Sequence, residues 1–162
     1  MSSAADPNDH TAFRRVLSRF PTGLVILTTK VDDRAFGLTC QAFCSVSLDP
    51  PLVSAFLRNN SGSLWAVEQT KKFAISILAE DQTEHARIFA ISGADKFRNL
   101  DVVESPSGLP LIDGCLSWLE CDLHDQFDAG DHQGVLGLVT AMSNERDVKP
   151  LLYWRGGYGE FV

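Results

Sequence analysis

Leu24 to Val31, LVILTTKV, is an apolar, β-branched run that meets Asp32-Asp33-Arg34 and then a second extended run over 35–48. That pattern predicts a buried strand turning through a hairpin into its antiparallel neighbour. Gly37 inside the second run predicts a bulge or bend, and Asp49-Pro50-Pro51 ends it. Further strands are expected at 52–57, 73–78, 115–127, 134–142 and 151–154. Helices are expected only at 9–20, 63–69 and 82–91. Strands therefore outnumber helices and do not alternate with them, which favours an antiparallel barrel over a doubly wound sheet.

The helix ends carry their own signals. Asp9 can cap the first helix, whose Phe13, Val16, Leu17 and Phe20 recur at helical spacing, and Pro21 stops it. Asp81 and Glu84 are spaced as a capping box for the third. Residues 92–113, with Pro106, Gly108 and Pro110, read as irregular, and the chain closes on a glycine-rich tail. Residues 1–8 are small and polar and read as a disordered N-terminus. Residues 9–162 read as a single domain, long enough to bury a core without staples.

Charge narrows the partners. The net charge is −7, and no Lys or Arg occurs between Arg98 and Arg146. Such a surface repels phosphate backbones, so nucleic acid is not an expected partner. No run approaches the ~20 apolar residues of a membrane helix. Cys40, Cys44, Cys115 and Cys121 form no C-x-x-C. On an extended 115–127 segment, Cys121 and His124 face opposite sides, and Cys115 lies about 20 Å from Cys121 at ~3.3 Å per residue. One zinc does not span that. No metal site is expected, and free thiols suit a reducing cytoplasm.

Three segments concentrate polar chemistry. Thr39, Cys40, Gln41, Ala42, Ser45, Val46 and Ser47 set short side chains in one extended stretch. They suit either the wall of a flat heteroaromatic ring or a solvated edge strand. Asn60-Ser61-Gly62-Ser63 opens a helix, where hydroxyls and free N–H groups either hold a phosphate or simply cap. Gly130-Asp131-His132 places a histidine beside a carboxylate at a turn. No G-x-G-x-x-G opens a helix after a strand, and neither a Walker A nor a G-x-S-x-G sequence is present.

Taken in order, several elements resemble the short-chain flavin reductase family, the reductase components of two-component flavin-dependent monooxygenases. They are Phe20-Pro21-Thr22-Gly23, Thr28-Thr29, Gly37-Leu38-Thr39, Ser45-Val46-Ser47-Leu48-Asp49-Pro50-Pro51-Leu52-Val53, Gly108-Leu109-Pro110, Trp118-Leu119-Glu120-Cys121, Gly130-Asp131-His132 and Pro150-Leu151-Leu152-Tyr153. The resemblance implies a mainly-β, antiparallel split β-barrel of Greek-key type with a few short flanking helices. It also implies a homodimer with FMN or FAD near the subunit interface. Thr39 to Ala42 and Ser45 to Ser47 then stand as the isoalloxazine wall, and Asn60, Ser61 and Ser63 as the phosphate end. Phe89, Lys96 and Phe97 would lie near the flavin. His132 is implied as the catalytic residue beside the nicotinamide, with Tyr153, Arg155 and Tyr158 closing over NADH or NADPH.

Two departures are visible. Gln41 stands where Asn or Ser is usual, and Gln133-Gly134 replaces a β-branched or aromatic pair, which predicts a looser strand at His132. The implied reaction moves a hydride from nicotinamide to flavin, with reduced flavin passing to a separate monooxygenase. The alternatives are a pyridoxamine-phosphate-oxidase-like enzyme and a non-catalytic flavin-binding protein on the same fold. The first would be expected to carry more Lys and Arg than the second half of this chain holds.

Overall fold

The computed structural model describes residues 4–93, 95–98 and 100–159. The organising element is a seven-stranded antiparallel sheet. Its strands, in chain order, are β2 (Val25–Val31), β3 (Arg34–Cys40), β4 (Phe43–Leu48), β5 (Pro51–Arg58), β6 (Lys72–Ile77), β9 (Ser117–Ala129) and β10 (His132–Asn144). They lie side by side in the order β3-β2-β6-β9-β10-β5-β4. The two edges, β3 and β4, are consecutive in sequence, so the sheet curls until the ends approach. At the join, Ala42 accepts the Phe56 N–H at 3.1 Å, and the Cys40 thiol reaches the Phe56 carbonyl at 3.7 Å. Among the described residues no ladder closes β3 to β4, so the barrel stays split and the outer edge of β4 lacks a partner strand.

The β2–β3 hairpin forms as expected, with Val31 opposite Arg34 and Asp32 at φ 51°. Gly37 does not make a bulge. It pairs regularly with Thr28, and its missing side chain makes room for Phe89, whose Cε1 would lie 2.6 Å from a Cβ there. The extended run over 35–48 is two strands with a corner at Gln41-Ala42. The irregularity lies in β4, where the register shifts between Ser45 and Ser47.

Other differences have local causes. Helix α1 (His10–Leu17) is capped by Asp9, which accepts from Thr11 N and Ala12 N, but it ends before Pro21, and only Ala12 is buried. Phe13, Val16, Leu17 and Phe20, the residues at helical spacing, are 51–75% exposed. Before it, the Asp6 carboxylate and carbonyl accept from Asn8 N and Asp9 N, so residues 6–9 form an ordered turn. Helix α3 (Thr83–Ala90) has no capping box; Asp81 instead pairs with Arg146 at 2.8 and 3.0 Å. Residues 92–113 are less irregular than expected: β7 (Val102–Glu104) and β8 (Pro110–Ile112) form a two-stranded sheet. The glycine-rich tail is also a strand. β1 (Thr22–Gly23), β11 (Leu152–Trp154) and β12 (Gly157–Gly159) form a small sheet with β11 in the middle. Helix α2 (Gly62–Thr70) packs mainly on β2 and β3.

The barrel interior holds Val25, Leu27, Leu57, Val67, Phe73, Ile75 and Val135. A second core, with Leu24, Ile26, Leu78, Ala86, Phe89 and Leu151, joins α3 and the tail to the other face of β2. β2 is apolar along most of its length because both of its faces are covered.

Candidate active site

The predicted residues fall into three groups. The first is the β3–β4 corner. Gln41, Ala42, Ser45 and Val46 are exposed on it, and Ser47 is half-buried. β4 ends the sheet order, so its outward backbone groups are free to pair with a planar ligand edge. Two predicted side chains serve the fold. The Thr39 hydroxyl donates to the Ala86 carbonyl at 2.7 Å, tying the wall to α3. Cys40 is buried, its thiol directed at the carbonyls of Ala42 and Phe56, and burial pushes that thiol's pKa up. Only the backbone of Cys40 is left for a ligand.

The second group joins two segments far apart in sequence. Ser61 caps α2 by accepting from Ser63 N at 3.2 Å, the local role expected of it. Ser63 is buried at 5% exposure, and its hydroxyl bonds to no described residue. Asn60 is exposed. The loop is pinned to the β9–β10 turn: Asn59 Nδ2 donates to the Gly130 carbonyl at 3.0 Å, and Asn59 N to the Asp131 carbonyl at 3.1 Å. His132 pairs in register with Arg58 at the end of β5. The expected phosphate end and the expected nicotinamide histidine are thus neighbours. This was not legible in the sequence, since Asn59, the residue that links them, carries no signature of its own.

His132 Nδ1 lies 2.6 Å from the Asp131 carboxylate. The hydrogen bond from His132 and its charge hold that carboxyl below its usual range. The pairing fixes the ring and leaves Nε2 as the other polar atom of the imidazole. The strand carrying His132 is not loosened by Gly134. A Cβ at that position would lie 2.3 Å from Phe127 Cζ, so the aromatic ring fills the place of the missing side chain. Phe127 in turn meets Phe56 edge-on at 5.9 Å.

The third group lies around α3 and the tail. Phe89 is buried at 1% exposure and meets Phe97 edge-on at 5.1 Å. Its ring supports the wall from behind and is not presented to a ligand. Lys96 Nζ donates to the carbonyls of Gly37 and Phe89, both at 2.9 Å, and desolvation lowers its pKa. It is a strut between β3 and α3. Tyr153 and Tyr158 meet edge-on at 5.5 Å, with the Arg87 guanidinium 5.4 Å above Tyr158. Arg155 lies over Trp154, and its N–H donates to the Ser18 carbonyl. Thr22 Oγ1, opposite Tyr153, is buried without a partner among the described residues. Among the described residues no hydrogen bond or ring contact joins Tyr153, Arg155 or Tyr158 to His132. Within one chain, the histidine and the tail occupy separate places. The described residues hold no cluster of His, Cys, Asp or Glu fit for a metal, and no helix among them is long and apolar enough to cross a membrane.

Residues 17–161 match the model of the flavin reductase like domain. The chain belongs to the flavin reductase-like family. This flavin reductase-like chain is 40% identical over 162 residues to a flavin reductase of Pseudomonas putida, covering 99% of this chain and 93% of that one. It is 39% identical to the reductase subunit HsaB of a flavin-dependent monooxygenase from Rhodococcus jostii, covering 96% of this chain and 80% of HsaB. Its fold matches the NADH:FAD oxidoreductase SgcE6 of Streptomyces globisporus, solved in complex with NAD and FAD fragments. That match has a TM-score of 0.94 at 33% identity and covers 99% of this chain and 98% of SgcE6.

Proposed function

We propose that the open edge of β4 and the Gln41–Ala42 corner seat the isoalloxazine of FMN or FAD, with Asn60, Ser61 and Ser63 at its phosphate. The protein is a flavin oxidoreductase that supplies reduced flavin to a separate monooxygenase. The observation that carries the site assignment is the unpartnered β4 edge. It offers free backbone donors and acceptors beside exposed short side chains, and β5 leads from it straight to a helix N-terminus opened by Ser61 and Ser63. That arrangement fits a flat polar-edged ring joined to a phosphate.

The two bound cofactors supply the two-electron chemistry themselves. The chain's residues orient them. β4 fixes the ring plane by its backbone, Phe89 and Lys96 brace β3 behind it, and His132, held by Asp131, offers Nε2 to the pyridine nucleotide, NADH or NADPH. The tail residues Tyr153, Arg155 and Tyr158 reach the same nucleotide across a homodimer. The apolar surface of α1, together with Leu48 at 95% exposure, supports such an assembly, since a lone chain seldom leaves so many large apolar side chains in water. The free thiols fit a cytoplasmic setting. The test is consumption of reduced nicotinamide by the purified protein with each pairing of FMN or FAD and NADH or NADPH, alongside mass by light scattering. Flavin-dependent turnover by a dimer is expected; a protein that neither binds nor reduces flavin refutes the reading.

A further inference from the structure

We propose that the aromatic shelf formed by Phe36 and Trp65 is a seat for the adenine of FAD, which makes FAD the flavin this protein prefers. The proposal rests on the assignment of Asn60, Ser61 and Ser63 to the flavin phosphate.

The β2–β3 hairpin and α2 enclose an open cleft of about 510 Å³ lined by Val31, Asp32, Asp33, Arg34, Phe36 and Trp65. Its floor is aromatic. The Phe36 and Trp65 rings lie 5.7 Å apart at an interplanar angle of 60°, and the Arg34 guanidinium sits 5.0 Å above Phe36. Trp65 is not a core residue. Leu64, Ala66 and Val67 bury α2 against the barrel, and Trp65 stays 49% exposed. A large indole left half in water beside a second ring and a cation is a stacking platform for a heteroaromatic base.

Position identifies the occupant. Phe36 abuts the first turn of α2: a Cβ on Gly62 would lie 4.0 Å from Phe36 Cδ1. Gly62 stands between Ser61 and Ser63, the two serines of the phosphate end, so the shelf begins where the flavin phosphate is held. β4 pairs with β5, β5 runs into the 59–63 loop, and that loop meets the shelf at Gly62. A dinucleotide lying along them brings its adenosine to Phe36 and Trp65, whereas FMN stops short. Asp32 and Asp33 give the cleft carboxylate acceptors for an exocyclic amine or ribose hydroxyls and disfavour a further phosphate there. NADH carries the same adenosine, but the shelf adjoins the flavin phosphate end within a residue, which assigns it to FAD.

The test measures dissociation constants for FAD and FMN by flavin fluorescence, and the KM for NADH with FMN as acceptor, in the wild type and three variants. Trp65→Ala is expected to cut the FAD-over-FMN affinity ratio about 5- to 50-fold, from the loss of one stacked base. Trp65→Phe, which keeps a ring and the fold, is expected to retain most of the ratio. Ser61→Ala/Ser63→Ala is expected to weaken both flavins and leave the ratio standing. A wild type that binds FMN as tightly as FAD overturns the proposal, as does a ratio unchanged in Trp65→Ala. A rise in the NADH KM with the flavin ratio intact also overturns it, by assigning the shelf to the pyridine nucleotide. If the double serine variant binds both flavins normally while Trp65→Ala lowers the ratio, the phosphate assignment fails and the adenine seat stands.

Discussion

Gly37 is the point at which core packing and the proposed flavin wall meet, and Gly37→Ala tests that link. The added Cβ would lie 2.6 Å from Phe89 Cε1, 2.9 Å from Cδ1 and 3.2 Å from the Leu27 carbonyl oxygen. Phe89 has no room to retreat: it is 1% exposed and meets Phe97 behind it. Forcing extra volume into such a packed site costs about 1–3 kcal/mol. Replacing glycine also stiffens the unfolded chain and returns about 0.4–1 kcal/mol. The expected net loss is about 1–2 kcal/mol, seen as a lower urea midpoint with unchanged slope and a Tm lower by about 2–8 °C for a chain of this size. Flavin affinity should fall as well, because β3 carries Thr39 and the Gln41–Ala42 corner, and Lys96 ties the Gly37 carbonyl to that of Phe89. A double-mutant cycle with Phe89→Leu isolates the cause. The smaller side chain costs stability alone but should partly rescue Gly37→Ala, with a coupling of about 1 kcal/mol. A neutral or stabilised Gly37→Ala, or no coupling to Phe89→Leu, would refute the packing argument.

Other substitutions probe separate parts. His132→Ala is expected to raise the KM for the pyridine nucleotide or lower turnover several-fold, with flavin affinity little changed; loss of flavin with normal kinetics at saturating flavin would reverse the assignment. A thiol reagent at mildly alkaline pH should label Cys44 in the native protein and all four cysteines after unfolding. Burial raises the pKa of Cys40 and Cys115 and pushes Cys121 up to about 12, and Cys44 is exposed; rapid labelling of more than one native thiol counts against this. The hydrogen bonds from Arg146 hold the Asp81 carboxyl below its unfolded value of 3.8, so this pair adds stability above that pH and loses it as pH falls through the folded value. Asp81→Asn should therefore flatten the acid limb of a stability–pH curve, and an unchanged limb would show the pair to be energetically idle.

Long apolar runs and hairpin turns were the legible part of the fold, because a strand with covered faces must be apolar along its length. β7 and β12 were not, since three residues beside proline or glycine leave no periodicity to read. The apolar stripe on α1 was legible as a stripe, but helical spacing says only that one face is apolar, and here that face is not covered by its own chain. The Asp81–Glu84 spacing misled because Arg146, 65 residues away, is the stronger partner for Asp81. Within the site, the polar segments were visible as types, but their division of labour was not. Thr39, Cys40, Phe89 and Lys96 spend their side chains on the fold, and only tertiary contact shows it. The glycines followed one rule that sequence reading resolves only halfway. Gly37, Gly134 and Gly137 each lie under a phenylalanine ring, from Phe89, Phe127 and Phe73. Interior strand glycine signals either a bulge or a close approach; here Gly37 and Gly134 are close approaches in regular register, and Gly137 is both, since the β9–β10 register shifts between Leu136 and Gly137.

The composition of the phosphate end bears on what the enzyme does with its flavin. A phosphate gripped by paired arginines is held through charge-assisted bonds, each worth about 1.5–3 kcal/mol. The 59–63 loop offers hydroxyls, an amide and backbone N–H groups, and Arg58, exposed at the end of β5, is the basic residue nearest to it in sequence. Across the hairpin that pins this loop stand Asp125, Asp128 and Asp131, whose charges oppose a phosphate. The β4 edge likewise contributes neutral backbone bonds, worth about 0.5–1.5 kcal/mol apiece net. A flavin seated there as proposed would be held through shape and many modest contacts on an open edge. That balance would suit a reductase whose product must leave and be taken up by another protein: retention would be weak enough for exchange, and the orienting contacts, which come from backbone held by the core, would not depend on tight binding.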